Sequence, residues 1–180
     1  VTATLAADSL SNLGALTTAG TDQITITVND ADAAGVTASD LSTLGGKTAG
    51  TVTVTNAVAI TGSAGELTAA LVTDDTLVVA ETATATINDA DGTGITAAGL
   101  SAIGAKTSGQ VTVTNAIDIS GTTAEVTAAL VTDDTLVVAS TATVTISDNP
   151  SISALNAIAD KTDGVVTATL AADSLSNLGA

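Results

Sequence analysis

The sequence predicts an α/β fold, a repeat solenoid of short parallel strands each followed by a short helix, on three observations. One strand motif, Thr-x-Thr among aliphatic residues, recurs seven times. Apolar runs with helix-start signals follow several copies, and the interval between copies fits one strand, one short helix and two connections. A unit repeated at such a period is stacked, because one unit alone cannot bury its apolar face.

The strand comes first. It reads Val111-Thr112-Val113-Thr114-Asn115-Ala116-Ile117 and almost the same at Val52-Thr53-Val54-Thr55-Asn56-Ala57-Val58. The first threonines of the seven copies stand at positions 2, 25, 53, 84, 112, 143 and 167, so the units of one continuous array over residues 1–180 start near 1, 24, 52, 84, 111, 143 and 166. In Ile24-Thr25-Ile26-Thr27-Val28 the β-branched residues alternate between aliphatic and hydroxylic. A period of two puts one kind on each face.

A polar turn ends the strand, as in Asn29-Asp30-Ala31-Asp32 and Asn88-Asp89-Ala90-Asp91-Gly92, whose side chains bond nearby amides. Helix starts follow. Ser63-Ala64-Gly65-Glu66 and Thr122-Thr123-Ala124-Glu125 match the S/T-x-x-E capping box. Leu67, Ala70 and Leu71, like Val126, Ala129 and Leu130, then fall on one helical face. Helices of about two turns do not persist alone in water and need packing against the strands. In other units Lys47-Thr48-Ala49-Gly50, Lys106-Thr107-Ser108-Gly109 and Lys161-Thr162-Asp163-Gly164 place each lysine before a glycine. The expectation is an ammonium at the negative helix end and a glycine at positive φ.

Strand, helix and strand at this spacing imply parallel pairing through right-handed crossovers. An all-β solenoid is the alternative, because the helical stretches carry many glycines and Thr76–Ala80 reads as an extra strand. Two exact identities set longer periods. Thr68–Ala80 equals Thr127–Ala139, displaced by 59, and Val1–Ala15 equals Val166–Ala180, displaced by 165. The chain closes one long period and begins the next. With no initiator Met or signal peptide in view, it reads as a piece of a longer array.

Composition narrows the function. There is no Phe, Tyr, Trp, Met, Cys or His, and Pro150 is the single proline. The core must be Ala, Val, Ile and Leu. Three lysines against 19 acidic residues give a formal net charge of −16, which repels phosphate backbones and anionic membranes. No nucleic-acid partner is expected. Threonines interrupt every apolar stretch, so no membrane insertion is expected either. Without His or Cys the usual bases, nucleophiles and transition-metal ligands are missing, and the expectation is a protein that is not an enzyme. Adjacent carboxylates at Asp74-Asp75 and Asp133-Asp134 read as solvated turns. Gly104-Ala105-Lys106-Thr107 lacks the first glycine of a phosphate-binding loop. A cysteine-free, acidic, Thr- and Asp-rich chain fits an extracellular or cell-surface setting.

Two sets of side chains are candidates for binding. Asp30 with Asp32, Asp89 with Asp91, and Asp148 with Asn149 recur at that same displacement of 59, and a row of such hard oxygen ligands suits Ca²⁺. No EF-hand or glycine-rich calcium nonapeptide accompanies them. The second set is a ladder of Thr25, Thr27, Thr53, Thr55, Thr84, Thr86, Thr112, Thr114, Thr143 and Thr145. If stacked strands presented these hydroxyls on one flat face, the ladder would be a candidate for ice binding.

The stretches VTVTNAVAITGSAGELTAALVTDD and INDADGTGITAAGLSAIGAKTSGQVTVTNAIDI give the chain, over nearly its whole length, a resemblance to the tandem Thr/Ala/Asp-rich repeats of very large secreted and surface proteins of bacteria, cyanobacteria included, of hemolysin-type or adhesin-like character. The resemblance implies a structural repeat module in a large extracellular protein or filament: a stalk, matrix or adhesin scaffold. Alternatives are a Ca²⁺-dependent adhesin segment and an ice-binding solenoid. Further copies of the same repeat, end to end, are the expected partners. Capping repeats are missing from either end of the sequence, so each end is expected to accept another unit.

Overall fold

A computed structural model describes residues 1–73, 78–132 and 137–170 and shows an α/β chain. All seven Thr-x-Thr motifs contribute strands: β1 (Thr2–Thr4), β2 (Gln23–Val28), β4 (Val52–Val54), β7 (Thr84–Ile87), β9 (Val111–Val113), β12 (Thr143–Ile146) and β13 (Val166–Thr167). Between them lie six further strands that the one-strand unit does not anticipate: β3 (Gly35–Thr37), β5 (Ala59–Gly62), β6 (Val78–Val79), β8 (Gly94–Thr96), β10 (Asp118–Gly121) and β11 (Val137–Val138). Of the extra strand expected at Thr76–Ala80, Val78 and Val79 are β6, while residues 76 and 77 lie outside the described residues. Six helices complete the described chain: α1 (Leu10–Leu13), α2 (Ala38–Gly45), α3 (Ala64–Leu67), α4 (Ala97–Gly104), α5 (Thr123–Leu130) and α6 (Ile152–Ala159). Thr68–Val72 continues α3 as a π turn, closed where the Thr73 amide and hydroxyl both donate to the Thr68 carbonyl at 2.9 and 3.1 Å.

The strands form three parallel sheets, ordered β1-β2-β4-β6, β3-β5-β7-β9-β11 and β8-β10-β12-β13. The shortest step between paired strands sets Thr2 opposite Gln23, and the longest sets Ile26 opposite Val52. The sequence displacement of 59 is therefore not a whole number of these steps. It carries β2 of the first sheet onto β7 in the middle of the second, and β7 onto β12 in the third. A short segment with a single apolar residue, such as Gly35-Val36-Thr37, is enough to supply an additional strand because its backbone partners are already extended beside it. Local pattern alone does not reveal that.

Helices touch in chain order, α1 on α2, α2 on α3, α3 on α4, α4 on α5 and α5 on α6. They cover a core of aliphatic side chains, joined among the described residues by the buried Thr48 and Thr107, in which Ile26, Leu41, Ile60, Leu67, Ile87, Leu100, Ile119 and Ile158 have almost no exposed surface. Leu67, Ala70, Leu71, Val126, Ala129 and Leu130 are all buried, as their helical spacing predicts, and both capping boxes form, Ser63 with Glu66 and Thr122 with Glu125.

The lysine-glycine helix ends differ from expectation. Among the described residues positive φ occurs at Gly92 (74°) and Ala33 (60°), equivalent positions of the polar turn, and not at Gly50, Gly109 or Gly164. Those three glycines serve close approach: a Cβ at Gly50 would overlap the Ile24 carbonyl, one at Gly109 that of Ala83, and one at Gly164 that of Ala142. Lys47 does meet a helix end, but it is that of the neighbouring α1, through the Gly14 carbonyl at 2.5 Å from Nζ. The open space around Gly92 isolates the backbone effect. Gly92→Ala is expected to cost about 1 kcal/mol, the penalty of a left-handed L-residue. Urea midpoints should show that loss, and Ala33→Gly should show none.

Candidate functional site

Each aspartate of the polar turns is committed to a backbone amide 20 to 25 residues away. Asp30 Oδ2 accepts from the Leu10 amide at 2.7 Å and Asp89 Oδ2 from the Ala64 amide at 2.6 Å. Asp148 Oδ1 accepts from both the amide and the hydroxyl of Thr123, at 2.7 and 2.6 Å. Leu10, Ala64 and Thr123 are the first residues of α1, α3 and α5, where amides lack intrahelical partners and a negative charge is favourable. These helices are thus capped twice, by their own Ser9, Ser63 or Thr122 hydroxyl and by a carboxylate from the next stretch of chain.

The second aspartate of the turn does similar work. Asp32 Oδ1 accepts from the Ala57 amide at 3.0 Å and Asp91 Oδ1 from the Ala116 amide at 2.8 Å. In return the Asn56 side-chain amide donates to the Asp30 carbonyl, and that of Asn115 to the Asp89 carbonyl, each at 2.6 Å. Asp-x-Asp and Thr-Asn-Ala are two halves of one clamp between successive turns. Asp30, Asp89 and Asp148 follow strands of three different sheets, and among the described residues no three carboxylate, His or Cys groups converge as metal ligands would. A cation at these oxygens would compete with the amides they already accept.

Electrostatics agree with the cap geometry. The Thr123 hydroxyl, then its amide, hold the Asp148 carboxyl below its ordinary 3.8. The Thr122 amide, then its hydroxyl, hold Glu125 below 4.5. A carboxyl depressed on folding stabilises the fold above its unfolded value, and that contribution disappears as pH falls through the folded value. Melting temperature is therefore expected to be level from neutral pH to about 4.5 and to drop below about 4. Asp148→Asn, which keeps an acceptor and removes the titration, should make that acid drop shallower.

Threonines of the ladder point outward, but the structure divides them. Thr25, Thr27 and Thr53 lie in the first sheet, Thr84, Thr86 and Thr112 in the second, and Thr143 and Thr145 in the third. Thr55 and Thr114 fall just past their strands and donate to the Val28 and Ile87 carbonyls at 3.2 and 3.1 Å. One in-register row of four hydroxyls is Thr37, Thr61, Thr86 and Thr112, ending on Val138. A second row runs Thr96, Ser120, Thr145 and Thr167. Half of each row comes from strands that the Thr-x-Thr motif does not mark.

Sequence reasoning missed the hydroxyls of Lys-Thr-x-Gly. Thr48, 2% exposed, accepts from the Ile24 and Gly50 amides at 2.8 Å, with the Asp22 and Ile24 carbonyls 2.9 and 2.8 Å away as acceptors. Thr107 donates to the Ala83 carbonyl and accepts from the Gly109 amide at 3.0 Å. Thr162 donates to the Ala142 carbonyl at 2.6 Å and accepts from the Gly164 amide at 3.0 Å. The signal was present, a threonine fixed between lysine and glycine in all three copies. Asp74-Asp75 and Asp133-Asp134 lie outside the described residues.

Open clefts of about 420 and 320 Å³ recur beside the Asp30 and Asp89 caps. Their shape repeats, Thr37 with Thr96 and Leu44 with Ile103, but their polar lining does not, since Gly99 stands where the first has Asp40. Searches of protein-family models, curated proteins and solved structures found no match to the chain.

Proposed function

We propose that the chain is a structural repeat module, an α/β solenoid segment of a stalk, matrix or adhesin scaffold in a large extracellular bacterial protein or filament, in which further copies of the repeat continue end to end. One observation carries this reading. The polar side chains that recur most faithfully, the Asp caps, the Asn clamps and the Lys-Thr-x-Gly hydroxyls, bond backbone groups of an adjacent stretch of the array 20 to 27 residues away. Their recurrence is thus accounted for by stacking. In a binding or catalytic site the recurring groups would point together into one cleft. The aromatic-free aliphatic core is consistent with this, because thin layers covering one another need small side chains.

Electron microscopy of the native material tests the reading: rods or filaments of uniform width support it, and compact, isolated particles of one chain overturn it. A second reading, ice binding, has the Thr37, Thr61, Thr86 and Thr112 row in its favour, four hydroxyls in register at the strand spacing of about 4.8 Å. Ice crystals grown in dilute protein with unaltered facets would dismiss it.

A further inference from the structure

The sequence Val1–Ala15 occurs twice, and the structure uses its two copies on opposite edges. In the first copy β1 is the edge strand of its sheet and pairs forward with β2, Thr2 opposite Gln23 and Thr4 opposite Thr25. In the second copy β13 is the edge strand of another sheet and pairs backward with β12, Val166 opposite Val144 and Thr167 opposite Thr145.

Two independent features show that these pairings are compatible in a single strand. First, the peptide groups differ: the Val1 carbonyl accepts from the Gln23 amide at 2.7 Å, whereas the carbonyl accepting from Val144, at 2.9 Å, is that of Val165, one position before the equivalent of Val1. Consecutive peptide groups of a strand point to opposite edges, so neither pairing occupies the groups the other needs. Second, the side chains keep their faces. Ala3, exposed at the sheet edge, stands opposite buried Ile24 and so shares its face, its equivalent Ala168 packs against the core, and Thr2 and Thr167 are both exposed. A strand shifted by one residue would have reversed them.

We infer that one copy of this segment is a joint that pairs on both edges at once, with β12 of one long repeat and β2 of the next. This rests on the scaffold reading above and supplies its connection. The partner surface is a second copy of this chain, presented at β2. Sharing one strand fuses two four-stranded sheets into a seven-stranded sheet ordered β8-β10-β12-joint-β2-β4-β6, so this sheet crosses the boundary between long repeats without an open edge at the joint.

The test is a doubled protein, the full chain followed directly by a second pass of residues 16–180, so that residues 166–180 are the only copy at the junction. Its control is the full chain followed by a complete second chain, in which each pass keeps its own copy. In the single chain the Leu170 amide faces the free edge, because its equivalent Leu5 donates to Thr25. Hydrogen exchange at Leu170 is expected to be about tenfold slower in the doubled protein than in the single chain. An unchanged rate would mean that the passes are independent beads, which overturns the shared joint and leaves the scaffold reading standing. A doubled protein that fails to fold while the control folds overturns the joint as well, since one copy then cannot serve both units.

Discussion

Gly109→Ala is expected to destabilise the fold by about 3 kcal/mol, at the upper end of what overpacking costs, because the added methyl has a backbone carbonyl and not a movable side chain in its way. The Cβ would overlap the oxygen and carbon of the Ala83 carbonyl, with the Thr84 nitrogen 3.1 Å away. Relief requires moving the strand that follows Lys-Thr-x-Gly off its neighbour, which breaks the pairing of Ala85 with Val111 two residues later. Gly94→Ala provides the contrast. No atom lies within 4 Å of its Cβ position, and the substitution should be neutral or stabilising by a few tenths of a kcal/mol through the unfolded chain. Urea denaturation of both variants decides it. A loss below about 1 kcal/mol at Gly109 would show that the close approach relaxes without cost.

How much of this was legible depends on which signals are local. Alternation in Ile24–Val28 and the S/T-x-x-E boxes are read within five residues, and the structure follows them. Strands β3, β5, β8 and β10 were not legible because their extension depends on a partner from another stretch of the sequence, Ala59 for Gly35 and Asp118 for Gly94. The distribution of the candidate site residues over three sheets has the same origin. The units starting near 24, 52, 84, 111 and 143 read as one stack, but strands from between the motifs take pairing positions, so β4 pairs with β6 while β7 pairs with β5 and β9. Thr25, Thr84 and Thr143 therefore stand in three different sheets. Asp30 and Asp89 look alike as ligands or as caps in sequence. Only the position of Leu10 and Ala64, first residues of helices elsewhere in the chain, distinguishes the two.

The glycine of Lys-Thr-x-Gly explains where the chain approaches, and the threonine explains what holds it there. After α2 the chain returns to the start of β2, where the Thr48 hydroxyl lies among the Asp22 and Ile24 backbone groups four residues before β4 begins to pair, Val52 opposite Ile26. Thr107 does this at Ala83 before β9 meets β7, and Thr162 at Ala142 before β13 meets β12. The hydroxyl therefore fixes the register of the next strand, in a fold where a one-residue slip would turn the threonines inward and the aliphatics out. Thr48→Val keeps the shape and removes the acceptor, leaving the half-buried Gly50 amide without it and the buried Ile24 amide with only the longer bond to the Asp22 carbonyl at 3.2 Å. The expected loss is about 2–3 kcal/mol. Thr48→Ser, which keeps the hydroxyl and removes a methyl, should cost only about 1 kcal/mol. Thr53→Val, the same chemical change on the outward row of β4, should fall within about 0.5 kcal/mol of the parent. Denaturant midpoints for the three variants give the order directly, and if Val at position 48 costs no more than Ser, the hydroxyl is not what pins the returning chain.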